Sequence, residues 1–212
     1  MGGRKNRSRS GRSASHRNAE EVISGSSGSW KLNRYLQIKH SDEIGRYLIA
    51  ADNLLPGTIL LQEDPIVIGP NFGLGPTCLR CGKMIHSKKN PISRCERCAW
   101  PVCENGCQGV NFNLHSPAEC EVLSKAAKIP AENVLFNIIT PLRVLLTRRD
   151  EPDKWTELQL ESHDDIRKLN KDQWDFYQRE VVDAFKEVCG FQEFTEDEVH
   201  TVCGYLQLND PI

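Results

Sequence analysis

A chain of 212 residues and 24.0 kDa, 39% hydrophobic, has room for one or two domains and a modest core. No apolar run approaches the roughly 20 residues of a membrane-spanning helix, and the polar, basic start is unlike a secretory signal. The sequence therefore excludes a transmembrane protein and places the chain in a reducing compartment. A net charge of −2 and a pI near 6.3 give no overall basic surface for nucleic acid.

Residues 1–29 are rich in Arg, Ser and Gly and nearly free of large apolar side chains, so they read as a disordered basic tail. Arg4, Lys5, Arg7, Arg9, Arg12 and Arg17 fit a nuclear address or a nucleic-acid contact, but a solvated tail is the favoured reading. Met1-Gly2-Gly3 resembles a myristoylation start, yet Asn6 stands where that motif has Ser or Thr. Over residues 30–70 the β-prone runs Arg34 to Lys39, Arg46 to Ala51 and Thr58 to Gln62 predict a hairpin and a following strand. The turns between them are Ser41-Asp42-Glu43-Ile44-Gly45 and Leu55-Pro56-Gly57. So small a sheet is marginal by itself.

Residues 71–124 hold most of the cysteines, and residues 125–212 take on helical periodicity. Leu135, Ile138, Ile139, Leu142, Leu145 and Leu146 share one face, with Pro141 expected to kink or restart the helix. Trp174, Tyr177, Val181, Phe185 and Val188 form a second stripe, ended by Gly190. Thr195 and Glu198 predict a capping box ahead of a helix carrying Val199, Val202 and Leu206. All three stripes are assigned to core packing.

Of the 9 cysteines, seven lie between Cys78 and Cys120, leaving only Cys189 and Cys203 outside. An odd count in a reducing compartment argues for metal rather than disulfides. The order is Cys78-x2-Cys81-x13-Cys95-x2-Cys98-x4-Cys103-x3-Cys107-x7-His115-x4-Cys120, eight ligands and enough for two closed tetrahedral zinc sites. An iron–sulfur centre uses the same thiolates, but the interleaved second half and its histidine favour zinc. His86 is read as a solvated loop histidine beside Lys83, Lys88 and Lys89, although it is placed to substitute as a ligand.

This ligand pattern resembles a MYND finger. The resemblance implies one zinc held by Cys78, Cys81, Cys103 and Cys107 and a second held by Cys95, Cys98, His115 and Cys120. Gln108 matches the glutamine that follows the sixth ligand, and Phe112 stands where the family often has tryptophan. The resemblance further implies proline-rich peptides rather than DNA as partners, with Gln108 and Phe112 as groove candidates, although Phe112 serves equally well as a core residue.

With Gly45-Arg46-Tyr47-Leu48-Ile49-Ala50 and Leu55-Pro56-Gly57 ahead of the finger, the chain resembles the SET and MYND family, in which the finger interrupts a methyltransferase domain. Thr140 to Leu146, Asp153-Lys154-Trp155 and Leu160-Glu161-Ser162-His163 resemble the helical insert of the arthropod SmydA group. The implied fold is α+β and zinc-rich: a partial SET hairpin, a two-zinc finger and a helical SET insert. Gly45 and Arg46 match the first turn that contacts S-adenosylmethionine, or else form a simple hairpin turn. The family's N-H-x-C stretch, catalytic tyrosine and post-SET zinc site are expected after Ile212.

The resemblance thus implies a zinc-dependent protein-interaction module of the nucleus or cytoplasm. Its full-length form would methylate histone or other protein lysines, and this chain would be inactive as an enzyme. The alternative is a fragment of an active protein-lysine methyltransferase. A cross-braced RING ubiquitin ligase fits the flanking strands less well. A cysteine hydrolase built on Cys189 or Cys203 with His163 or His200 has no supporting motif, and both cysteines are assigned to helix cores.

Overall fold

The structure, a computed structural model, describes residues 31–32, 35–62, 64–85, 93–103, 114–125 and 133–208. The tail 1–29, His86, Lys88, Lys89, Cys107, Gln108 and Phe112 lie outside the described residues. The chain divides into two units, residues 1–64 and 65–212.

The first unit is built on strand alternation. Strands β2 (Leu36–Ser41) and β3 (Gly45–Ala50) form an antiparallel hairpin in which Ile38 faces Leu48 and Ser41 faces Gly45. The Ser41 hydroxyl accepts the Ile44 N–H (3.2 Å), and Gly45 adopts φ +68°, a conformation open to glycine at no steric cost. Short strands β1 (Lys31–Leu32) and β4 (Leu61–Gln62) pair antiparallel. The third β-prone run thus contributes only its last two residues as strand, because Thr58 instead closes a turn onto the Leu55 carbonyl through both its N–H and its hydroxyl. No described residue of this unit is buried, and the facing pair Ile38 and Leu48 is 55% and 49% exposed.

In the second unit each Cys-x2-Cys motif sits on the same tight knuckle. Cys78 donates to the Lys83 carbonyl (2.8 Å) while Gly82 donates back to Cys78 (2.8 Å). Cys95 donates to Trp100 (2.8 Å) while Ala99 donates back to Cys95 (2.8 Å). The residue that closes each knuckle is left-handed, Gly82 at φ +72° and Ala99 at φ +58°.

Helix α1 (Pro117–Ser124) starts as its sequence dictates. The Ser116 hydroxyl accepts the Glu119 N–H (3.0 Å), and Pro117 occupies the first turn, where a missing N–H costs nothing. A 3-10 segment (Asn133–Ile138) leads directly into α2 (Ile139–Asp150). Pro141 lies in the first turn of α2, so the predicted break is a junction between two helix types. Every residue from Pro141 to Leu146 is buried, which makes α2 the central helix.

Short helices α3 (Pro152–Glu157) and α4 (Asp164–Arg167) precede α5 (Lys171–Tyr177), a π-helical turn (Gln178–Val182) and α6 (Asp183–Cys189). Tyr177, Val181, Phe185 and Val188 are buried, Trp174 at the head of the predicted stripe is only half-buried, and Gly190 at φ +67° ends the run. Helix α7 (Glu196–Leu208) opens on the expected box, with Glu198 accepting the Thr195 N–H (2.9 Å) and Thr195 accepting the Glu198 N–H (3.3 Å). It packs on α2, and Val199, Val202 and Cys203 are fully buried. Gly204 passes so close to Ser162 that a Cβ would collide with the Ser162 backbone.

Candidate metal centres

The knuckles and α1 bring the donor atoms of Cys95, Cys98, His115 and Cys120 within 4.8 Å of one another, all four residues buried. Cys95 and Cys98 come from the second knuckle, and His115 and Cys120 flank the capped start of α1. A second group, Cys78, Cys81 and Cys103, is gathered within the same limit. Both groups can hold a zinc ion.

Zinc–sulfur bonds of about 2.3 Å and zinc–nitrogen bonds of about 2.0–2.1 Å in a tetrahedron require S–S edges near about 3.8 Å and S–N edges near about 3.5 Å. Cys95 and Cys120 sulfurs are 3.7 Å apart, Cys98 Sγ is 3.5 Å from His115 Nε2, and Cys81 and Cys103 sulfurs are 3.5 Å apart. A disulfide would need about 2.05 Å. The donor sets therefore have the chemistry and the spacing of structural zinc sites.

Electrostatics point the same way. Burial pushes the Cys78 thiol up, but the N–H groups of Cys103, Cys81 and Arg80 outweigh it and bring it down to about 7. The Cys103 N–H lies 3.1 Å from Cys78 Sγ. At Cys95 burial is likewise outweighed, by the N–H groups of Cys98 and Arg97, giving about 6. Burial and the neighbouring Cys95 thiolate push Cys98 up to about 12, and burial raises Cys120 too. Three thiols so close cannot all ionise alone; a divalent cation removes that repulsion and deprotonates the rest.

Behind His115 stands a buried chain of charge. His115 Nδ1 is 2.9 Å from Glu119 Oε1, which leaves Nε2 toward the sulfurs when Nδ1 carries the proton. Burial pulls the imidazole pKa down, but the Glu119 carboxylate overrides it and the net shift is upward. Glu119 is fully buried, and Arg143 grips it through Nε (2.6 Å) and Nη2 (3.1 Å). Sequence reasoning passed over both residues. The available signals were a Glu four residues after a candidate histidine ligand and one Arg inside an otherwise apolar helical stripe.

Gly45 and Arg46 lie at the hairpin turn of the first unit. Cys203 is fully buried and Cys189 half-buried, and burial pushes each thiol up to about 12, far from a nucleophile. His200 is buried against Trp174, its ring stacked at 3.8 Å, and His163 is exposed at the start of α4. No helix among the described residues is long and apolar enough to cross a membrane.

No family model and no solved structure matches the chain. It is 27% identical over 130 residues to the histone-lysine N-methyltransferase ASHR1 of Arabidopsis thaliana. The alignment takes in 58% of this chain and 26% of that protein, so the chain spans about a quarter of its relative's length.

Proposed function

We propose that the second unit carries a MYND-type zinc finger that serves as a protein-interaction module within a SET and MYND protein. The observation that carries this reading is the buried Cys95, Cys98, His115 and Cys120 set, whose Cys95–Cys120 and Cys98–His115 edges have tetrahedral lengths. Cys107 supplies the fourth ligand beside Cys78, Cys81 and Cys103, completing the interleaved pairing. Closed sites of this kind organise a surface and leave no coordination position for catalysis. Gln108 and Phe112 line the groove for proline-rich peptides, in the cytoplasm or nucleus. The domain order follows as a tail to residue 29, a partial SET segment to 70, the finger to 124 and a helical insert beyond it.

The test is metal content and peptide binding on the same sample. The purified chain is expected to carry two zinc ions by native mass spectrometry and to bind a proline-rich peptide. Replacing Phe112 with Ala should abolish that binding while both ions stay. A metal-free folded chain sinks the reading.

A second reading concerns the whole protein, and the likeness to a histone-lysine N-methyltransferase favours it. In that reading Gly45 and Arg46 contact S-adenosylmethionine, and methyl transfer to a histone or other protein lysine is completed by parts not among these 212 residues. Transfer of a labelled methyl group by the longer protein, but not by this segment, is the expected outcome. Transfer by the segment itself would contradict it.

A further inference from the structure

One guanidinium reaches the supports of both candidate metal clusters. Arg143 projects from the central helix α2 and is buried along with Glu119. Through Nε and Nη2 it holds the carboxylate whose Oε1 orients His115 of the four-residue cluster. The same Nη2 also donates to the Leu79 carbonyl at 2.8 Å, and Leu79 lies between Cys78 and Cys81 in the other cluster's knuckle. Nη1 completes the grip on the Ile68 carbonyl at 2.7 Å. Leu79 is itself tied to the second knuckle's exit through the Pro101 carbonyl (3.1 Å), two residues before Cys103.

We propose that Arg143 is a positioning residue that couples the two metal sites, so that filling one raises the affinity of the other. This rests on the zinc reading above. Partners behind a metal-bound histidine fix its tautomer and ring orientation, and losing them typically weakens metal binding about 10- to 100-fold. Here the partner is shared. An ion at the histidine site fixes His115, hence Glu119, hence the guanidinium, and the last of these fixes the knuckle backbone at Leu79. Linkage makes the effect reciprocal. Lysine cannot replace arginine, because one ammonium on a flexible stem cannot span a carboxylate and two carbonyls in a planar fork.

The experiment is chelator competition on the full chain loaded with zinc, followed by native mass spectrometry. Cobalt(II) absorption serves as a second readout of the geometry at the histidine-bearing site. The wild-type chain is expected to pass from two ions to none with the one-ion species well below its statistical share. Arg143→Lys should remain folded, accumulate the one-ion species and lose about 10- to 100-fold in affinity at the histidine site. Glu119→Gln keeps an acceptor for His115 and should fall between the two. Arg148→Met, which removes another arginine–carboxylate pair of α2, with Glu198, should leave the metal pattern of wild type unchanged. If Arg143→Lys fails to fold, Glu119→Gln carries the test through the same cobalt spectrum and the same species distribution.

A statistical share of one-ion species in the wild type overturns the coupling and leaves the zinc reading intact. An equal disturbance by Arg148→Met reduces the role of Arg143 to general stability and also overturns it. No bound metal in the wild type removes both readings.

Discussion

The knuckle residues show how a single backbone angle and a single thiol set the behaviour of the metal centres. Ala99 sits at φ +58° where its counterpart in the first knuckle is Gly82, and a left-handed non-glycine residue costs roughly 1–2 kcal/mol. Ala99→Gly is therefore expected to raise stability by about 1 kcal/mol, read as a higher unfolding midpoint of the metal-loaded chain. Removing Cys95 or Cys103 as Ala has the opposite effect and should unfold the cysteine-rich segment. Retention of both ions by either variant in native mass spectrometry would contradict it.

The same thiols give metal capture a pH dependence. Cys78 and Cys95 stand near 7 and 6, below the ordinary thiol value of 9.0. A depressed thiol favours the folded state above its unfolded value, and that contribution is lost as pH falls through the folded value. Zinc affinity, which needs the thiolates, should accordingly drop as pH falls from about 8 to 6, with protons released from the raised thiols Cys98 and Cys120 throughout and more released at the lower end as Cys78 and Cys95 protonate. Isothermal titration in buffers of different ionisation enthalpy measures that release, and a flat profile would refute the assignment.

At the element scale the helices divide into those the sequence announces and those it conceals. The box at Thr195 and Glu198, the stripe through Tyr177, Val181, Phe185 and Val188, and the stop at Gly190 are all present where periodicity and capping chemistry place them. Glu198→Ala should cost about 0.3–1.5 kcal/mol in urea unfolding. The Thr195 N–H, burial notwithstanding, and the Arg148 guanidinium hold the Glu198 carboxyl below its usual range. Its contribution is therefore lost as pH falls through that lowered value, and the difference between wild type and variant should shrink in acid.

Other features were illegible because they depend on contacts distant in sequence. Gly204 looks like a weak point in α7, yet its missing side chain admits the Ser162 backbone, so Gly204→Ala should destabilise despite better helix propensity. A thermal midpoint equal to or above wild type would count against that packing argument. Arg143 is illegible in the same way. Its partners Glu119, Leu79 and Ile68 lie 24, 64 and 75 residues away, and only the fold shows that a charge within an apolar stripe is neutralised. The eight candidate donors were readable from spacing, since sulfur donors at short fixed intervals mark metal sites, but their division into two groups came from the likeness to a MYND finger.

For the whole molecule the division at residue 64 separates two small antiparallel sheets, with no buried residue among those described, from a unit with a buried core and two candidate metal clusters. A polypeptide of residues 65–212 should keep the helical circular dichroism of the full chain and bind two ions, whereas residues 31–64 alone should give none of the strand signal. Loss of helicity in the longer piece would show that its core depends on the first unit. Trp100 occupies the junction between metal chemistry and apolar packing. It follows the second knuckle, is fully buried, and meets Phe136 edge to face at 5.5 Å. If the second knuckle holds zinc as proposed, stripping the metal should open that knuckle and carry the indole into water. The expected outcome is tryptophan emission that moves to longer wavelength as the ions leave and returns when they are restored, a change that Trp100→Phe should remove.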